Sequence, residues 1–147
     1  MSGTHSRAET LPSTAKDRSA RTKYLSTLRV ILALHVLAVF TQAVLAGQFL
    51  SGIEQPVVFH EFTAWIILGL SCLQLIFAVL ATGMRSKSLW FVIITVIIFL
   101  AEGLQVATGY LRFLSVHIPL AVIIFGTLVW QLDYVFRKRA LAGELSA

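Results

Sequence analysis

Charge is scarce in this chain: of 147 residues only 13% are Asp, Glu, Lys or Arg, against 57% hydrophobic. Soluble domains carry about twice that charged fraction, so an ordinary water-facing globule is excluded. Acids number only seven, and a single one, Glu102, falls deep within an apolar run. The lone cysteine, Cys72, rules out an internal disulfide and a cysteine-built metal centre, and its position suits a small membrane-buried side chain. With only three prolines, long stretches have no helix breaker.

What remains is four apolar runs, near 27–50, 57–81, 89–110 and 115–136, each long enough to cross a hydrocarbon core of roughly 30 Å. No water is available there to pair backbone amides, so the runs must be helices. The sequence predicts an all-α, four-transmembrane-helix bundle over residues 24–137. Residues 1–23, polar and basic, read as a disordered cytoplasmic tail, and 138–147 as a second cytoplasmic tail. Eleven of the twelve Lys and Arg residues lie before or at the entry to span 1, between spans 2 and 3, or after span 4, and only Arg112 lies between spans 3 and 4. By the positive-inside rule both termini are cytoplasmic, in a bacterial plasma membrane. The basic tail is then a topology signal with weak attraction to anionic lipid, and nucleic acid is not an expected partner. The Val44-Leu45-Ala46 stretch resembles a signal-peptidase site, but the span is long for a secretory segment and is expected to stay uncleaved.

An internal duplication carries the chemistry. His60 and His117 open HEFTAWIILG and HIPLAVIIFG at a spacing of 57 residues, which also matches Ala64 with Ala121, Ile67 with Ile124 and Gly69 with Gly126. Upstream, Val44 and Gly47 match Val106 and Gly109, with the amides Gln42 and Gln105 close by. The chain therefore comprises two parallel helical-hairpin repeats, related by a pseudo-twofold axis along the membrane normal. Pro119 lacks an N–H and is expected in the first turn, so helix 4 should begin at Ser115 or later, with Pro56 placed just ahead of helix 2. Two imidazoles at equal depth near the outer face are what one flat cofactor ligated from both sides requires, and haem b is the candidate. Interfacial histidines without a cofactor, a proton relay and a non-haem metal are the alternatives. Zinc needs three or four ligands, and no further His or Cys lies at that depth.

Other residues take supporting parts. Ala64 and Ala121, one turn from each histidine on the same face, leave room for a macrocycle, and Gly47 and Gly109 could do so at its edges. Equally, small residues let membrane helices approach closely. Arg112 is placed either to pair with propionates or to anchor at the interface. His35, deeper in helix 1, has no second histidine with which to share a haem and is expected to pack or hydrogen-bond. For Glu102, burial favours the neutral form unless a partner holds the charge, so it is either a proton-handling group or a structural carboxyl. Glu61 is expected to face another helix or headgroups.

At these residues the chain resembles one four-helix half of the haem A synthase family. The features concerned are Gln42 and Gly47 ahead of His60 in VVFHEFTAW, and Gln105 and Gly109 ahead of His117 in LQVATGYLRFLSVHIPLAV. It also resembles uncharacterised four-helix bacterial membrane proteins with an LAGQFLSG segment, here Leu45 to Gly52. The resemblance covers residues 27–136 and implies an axial pair at His60 and His117. Val57 stands where the family has its catalytic glutamate, the outer-loop cysteine pair is absent, and the length is that of one half. Haem A synthesis by this chain, or any enzymatic activity of its own, is therefore not expected. The leading expectation is a b-type cytochrome-like protein in electron transfer or haem handling, with a quinone or another membrane redox protein as partner, and compatible with a homo-oligomer. A cofactor-free membrane subunit or assembly factor is one alternative. A proton-coupled transport module using Glu102, His35 and Gln42 is the other.

Overall fold

The computed structural model describes residues 15–53, 55–82 and 89–144, and of residues 15, 18 and 138–144 it describes the backbone alone. Four helices follow in order: α1 (Ala15–Leu50), α2 (Pro56–Thr82), α3 (Leu89–Tyr110) and α4 (Leu114–Glu144). Each contains a membrane-length apolar segment, and the chain is a multi-pass membrane protein. Large apolar side chains such as Leu37, Phe62, Leu100 and Val122 cover the outside of the bundle. Hydrocarbon solvates that surface, so it carries none of the penalty it would have in water.

Helix ends follow local chemistry. Pro56 occupies the first residue of α2, where its missing N–H is no loss. At the end of α1, Ile53 N donates to Gln48 O and Gly52 N to Phe49 O, closing a Schellman motif with Gly52 at φ 89°. The end of α3 repeats this: Phe113 N donates to Thr108 O and Arg112 N to Gly109 O. Here the left-handed position is held by Arg112, at φ 54°.

Helix 4 starts earlier than Pro119 suggested. Val116 N and His117 N already bond Phe113 O, so Pro119 lies inside the helix. The carbonyl that loses its partner is that of Ser115, an exposed residue next to the turn, where water or headgroups reach it. Helix 1 also extends beyond expectation. Its backbone is helical from Ala15, nine residues into the stretch read as disordered, whose remainder lies outside the described residues. Asp17 in the first turn suits the helix dipole, and Arg21 Nε donates to Ala81 O of α2, tying this extension to the bundle. The C-terminal tail is likewise a continuation of α4 as far as Glu144. Arg85 and Lys87, between spans 2 and 3, lie outside the described residues.

Neighbouring helices pack in the order α1, α2, α3, α4 and back to α1. Helices 2 and 4 are therefore diagonal partners across the bundle axis, as are α1 and α3. The two antiparallel hairpins α1–α2 and α3–α4 are the two repeats. The apolar core, Leu28, Leu32, Ala78, Phe91, Ile98, Ile124, Leu128 and Val135, fills the half of the bundle towards the termini. Trp90, Trp130 and Tyr134 cluster at that end, with Trp90 centred 5.1 Å from Trp130 and 5.0 Å from Tyr134. Interfacial aromatics of this kind mark a membrane boundary. The opposite half, below the α1–α2 and α3–α4 turns, is where the histidines lie; it is called the hairpin end below.

Candidate functional site: a histidine pair on the bundle axis

His60 and His117 come from the diagonal helices α2 and α4. Their rings face each other across the axis, with centroids 6.2 Å apart and planes tilted by 51°. Both are half-buried. The spacing of 57 residues thus becomes a spatial pair because it joins equivalent turns of equivalent helices.

Each histidine is held by a glutamine of its own hairpin. Gln105 Nε2 donates to His117 O at 2.8 Å, and Gln42 Nε2 donates to His60 O at 2.9 Å. In the second hairpin the grip is reciprocal: His117 Nδ1 lies 3.0 Å from Gln105 O, a carbonyl that can only accept. Thr108 Oγ1, its own hydrogen directed to Leu104 O, lies 3.3 Å from the same nitrogen. Nδ1 is therefore the protonated nitrogen of His117, and Nε2 keeps its lone pair. A ligating histidine is oriented in just this way, by donating its other N–H to a carbonyl. In the first hairpin Nδ1 of His60 is buried without a hydrogen bond. The two amide oxygens, Gln42 Oε1 and Gln105 Oε1, are also buried and unpartnered.

The glycines divide. A Cβ at Gly109 would sit 3.1 Å from His117 Cε1 and 3.4 Å from Nδ1, so Gly109 is a seat for the imidazole itself. Gly47 is exposed, and a Cβ there would meet nothing within 4 Å. The symmetrical part expected of these two glycines is thus not what the packing shows. Ala64 and Ala121 are half-buried, one turn further along each helix. Arg112 is exposed in the α3–α4 turn, five residues before His117. Glu61 lies on the outside of α2 and accepts a 2.5 Å hydrogen bond from the Tyr110 hydroxyl, which ties α2 to α3. Cys72 is a free thiol on the outer face of α2.

His35 and Glu102 belong to another level of the interior. They meet there, His35 Nε2 being 2.8 Å from Glu102 Oε1, in a network that also takes in Gln74, Gln131 and Thr95. Sequence reading missed Gln74 and Gln131, although their spacing is again 57 residues. It left Gln105 as an unassigned amide and gave Gln42 a part only in the transport alternative. Among the described residues no group of three or more His, Cys, Asp or Glu side chains could hold a metal ion by itself. No protein-family model, curated protein or solved structure matches the chain.

Proposed function

We propose that this membrane protein binds one haem b between α2 and α4, with His60 and His117 as axial ligands, and acts in electron transfer or haem handling. The observation that carries the reading is the 6.2 Å separation of the two rings. With metal–nitrogen bonds of about 2 Å and about 1.1 Å from nitrogen to ring centroid, two imidazoles on opposite sides of one metal have centroids about 6.2 Å apart. Two imidazoles alone are a poor protein metal site, and a tetrapyrrole supplies the four remaining donors of a six-coordinate iron. The resemblance to a haem A synthase half points to the same pair.

The chain's own residues would do the following. His117 presents Nε2 because Gln105 O and Thr108 Oγ1 engage Nδ1. Gln42 and Gln105 fix the main chain at each histidine, so that the depth of both ligands is set by hairpin packing. The half-buried setting of both rings limits water at the ligands, and Arg112 stands on the same side of the bundle as a counter-charge for carboxylates. Bound haem would supply a one-electron change at iron, and with both axial positions taken by histidine there is no open site for oxygen chemistry. By the charge partition, the hairpin end is the outer face, and a quinone or another membrane redox protein is the partner class.

Optical spectra of the purified protein, oxidised and dithionite-reduced, test the reading. Sharp α and β bands of low-spin six-coordinate haem b are expected in the reduced form. His60→Ala and His117→Ala should each lose or convert them, and His35→Ala should keep them. Colourless protein from haem-replete cells that takes up no haem on reconstitution would refute the proposal.

A further inference from the structure

Five buried polar side chains, His35, Gln74, Thr95, Glu102 and Gln131, form one connected polar chain that draws on all four helices. Thr95 Oγ1 lies 2.9 Å from Phe91 O, Gln131 Nε2 lies 3.0 Å from Thr95 Oγ1, and Gln74 Nε2 lies 2.7 Å from Gln131 Oε1. Beyond Gln74, its Oε1 is 2.7 Å from His35 Nδ1, and His35 Nε2 is 2.8 Å from Glu102 Oε1. His35, Gln74, Thr95 and Gln131 have no accessible surface, and Glu102 retains 3%. Of the other charged side chains, Arg29 is engaged with Val135 O, Asp133 with Arg137, and Glu61 with Tyr110. Helices 2 and 4 contribute only the two amides, so Glu102 and His35 are the titratable members.

Donor direction along this chain fixes the count of protons. The Phe91 carbonyl can only accept, so the Thr95 hydrogen points to it and a Thr95 lone pair receives Gln131 Nε2. Gln131 then turns its oxygen to Gln74, and Gln74 turns its oxygen to His35. His35 Nδ1 must therefore be the donor. A carboxylate at Glu102 would then set two acceptors 2.8 Å apart unless a proton lies between them. Glu102 Oε2 is buried and has no partner. An ionised carboxyl paired through Oε1 with an imidazolium would still leave Oε2 bare in this interior, whereas a carboxylic acid leaves only a carbonyl oxygen unpaired.

We infer that Glu102 and His35 form a membrane-buried proton-binding site, in which the shared proton sits on Glu102 and is donated to Nε2 of a neutral His35. Loss of that proton leaves two courses. Either a charged carboxylate faces a bare nitrogen, or His35 moves its hydrogen to Nε2 and the chain reverses, with both amides flipped and Thr95 rotated. Proton occupancy is thereby tied to amide orientation in a network that joins all four helices. This site does not depend on what binds at His60 and His117.

Infrared spectroscopy of the protein in lipid nanodiscs at neutral pH tests it. The expected result is a protonated carboxyl band that shifts in D2O and is lost in Glu102→Gln. Absence of any Glu102-dependent band overturns the proposal. Should that variant fail to fold, 15N-histidine NMR of the intact wild type decides, with the His35 signal assigned through His5, His60 and His117 variants that retain it. A neutral ring protonated at Nδ1 supports the site. An imidazolium, or a neutral ring protonated at Nε2, overturns it.

Discussion

Gln74 and Gln131 meet on the bundle axis through a 2.7 Å amide–amide hydrogen bond, separated by the same 57 residues as His60 and His117. Both pairs join α2 to α4, one near the hairpin end and one deeper, so the pseudo-twofold axis of the duplication is marked at two levels. In the bond formed here Gln74 Nε2 donates and Gln131 Oε1 accepts, so the pair is not symmetric, and its flanks differ accordingly: His35 lies beside Gln74 and Thr95 beside Gln131.

The amide pair predicts non-additive losses. Gln74→Leu or Gln131→Leu alone would leave its partner's buried amide unsatisfied, with an expected loss of about 1–3 kcal/mol. The double variant removes both amides, and its loss should be less than the sum of the singles. Unfolding titrations in mixed micelles measure all four proteins. Additive losses would mean that the amides are not energetically paired.

Gly109 and Gly47 should respond differently to the same change. Gly109→Ala places a Cβ 3.1 Å from His117 Cε1 and must displace the ring by a few tenths of an ångström. Gly47→Ala meets open space. Haem uptake and the low-spin spectrum should be weakened by the first and left unchanged by the second. Equal behaviour of the two variants would show that the seat under His117 has no part in ligation.

The four spans and the histidine pair were legible because hydropathy and the repeat spacing act on whole helices, and helical equivalence converts directly into position. Three kinds of feature were hidden. Helix 1 runs back to Ala15 because Arg21 reaches a carbonyl on α2, a contact 60 residues away that no local pattern reveals. Pro119 was expected to mark the helix start, yet an exposed Ser115 carbonyl at the turn tolerates the missing donor. The meeting of His35 with Glu102 depends on the diagonal packing of α1 and α3, and their positions are not repeat-equivalent. Gln74 and Gln131 were within reach, since extending the 57-residue alignment by five residues beyond Gly69 and Gly126 pairs them.

Arg112 occupies a left-handed position at φ 54° that glycine would fill with less strain. If it served only the turn, Arg112→Gly should stabilise the protein by about 1 kcal/mol and change nothing else. As a counter-charge for haem carboxylates, its loss should lower haem affinity while the fold gains stability. Melting of the apoprotein and haem titration together separate these outcomes. Unchanged affinity removes Arg112 from the site.

The charge partition predicts a membrane orientation. Reporter fusions after Ala147 and between residues 85 and 88 should be cytoplasmic, and a fusion near Ile53 should be external. Reversal of any one would move the histidine pair to the inner face and change the compartment in which a redox partner is sought.

Ala64 and Ala121 give the last test, because each lies one turn from its histidine on the same helix face. Phe at either position should obstruct a macrocycle while leaving both imidazoles present, so haem occupancy should fall although the protein still inserts. Tight helix packing alone would also make a bulky residue harmful, so loss of stability by itself does not discriminate. The direction of rescue does. A ligand bound only by the folded state raises apparent stability by mass action, so added haem should raise the melting temperature of the wild-type apoprotein and do little for Ala64→Phe or Ala121→Phe. An equal rise in all three would place the cofactor away from these alanines, and the ring could not then lie between α2 and α4 at the level of the histidine pair.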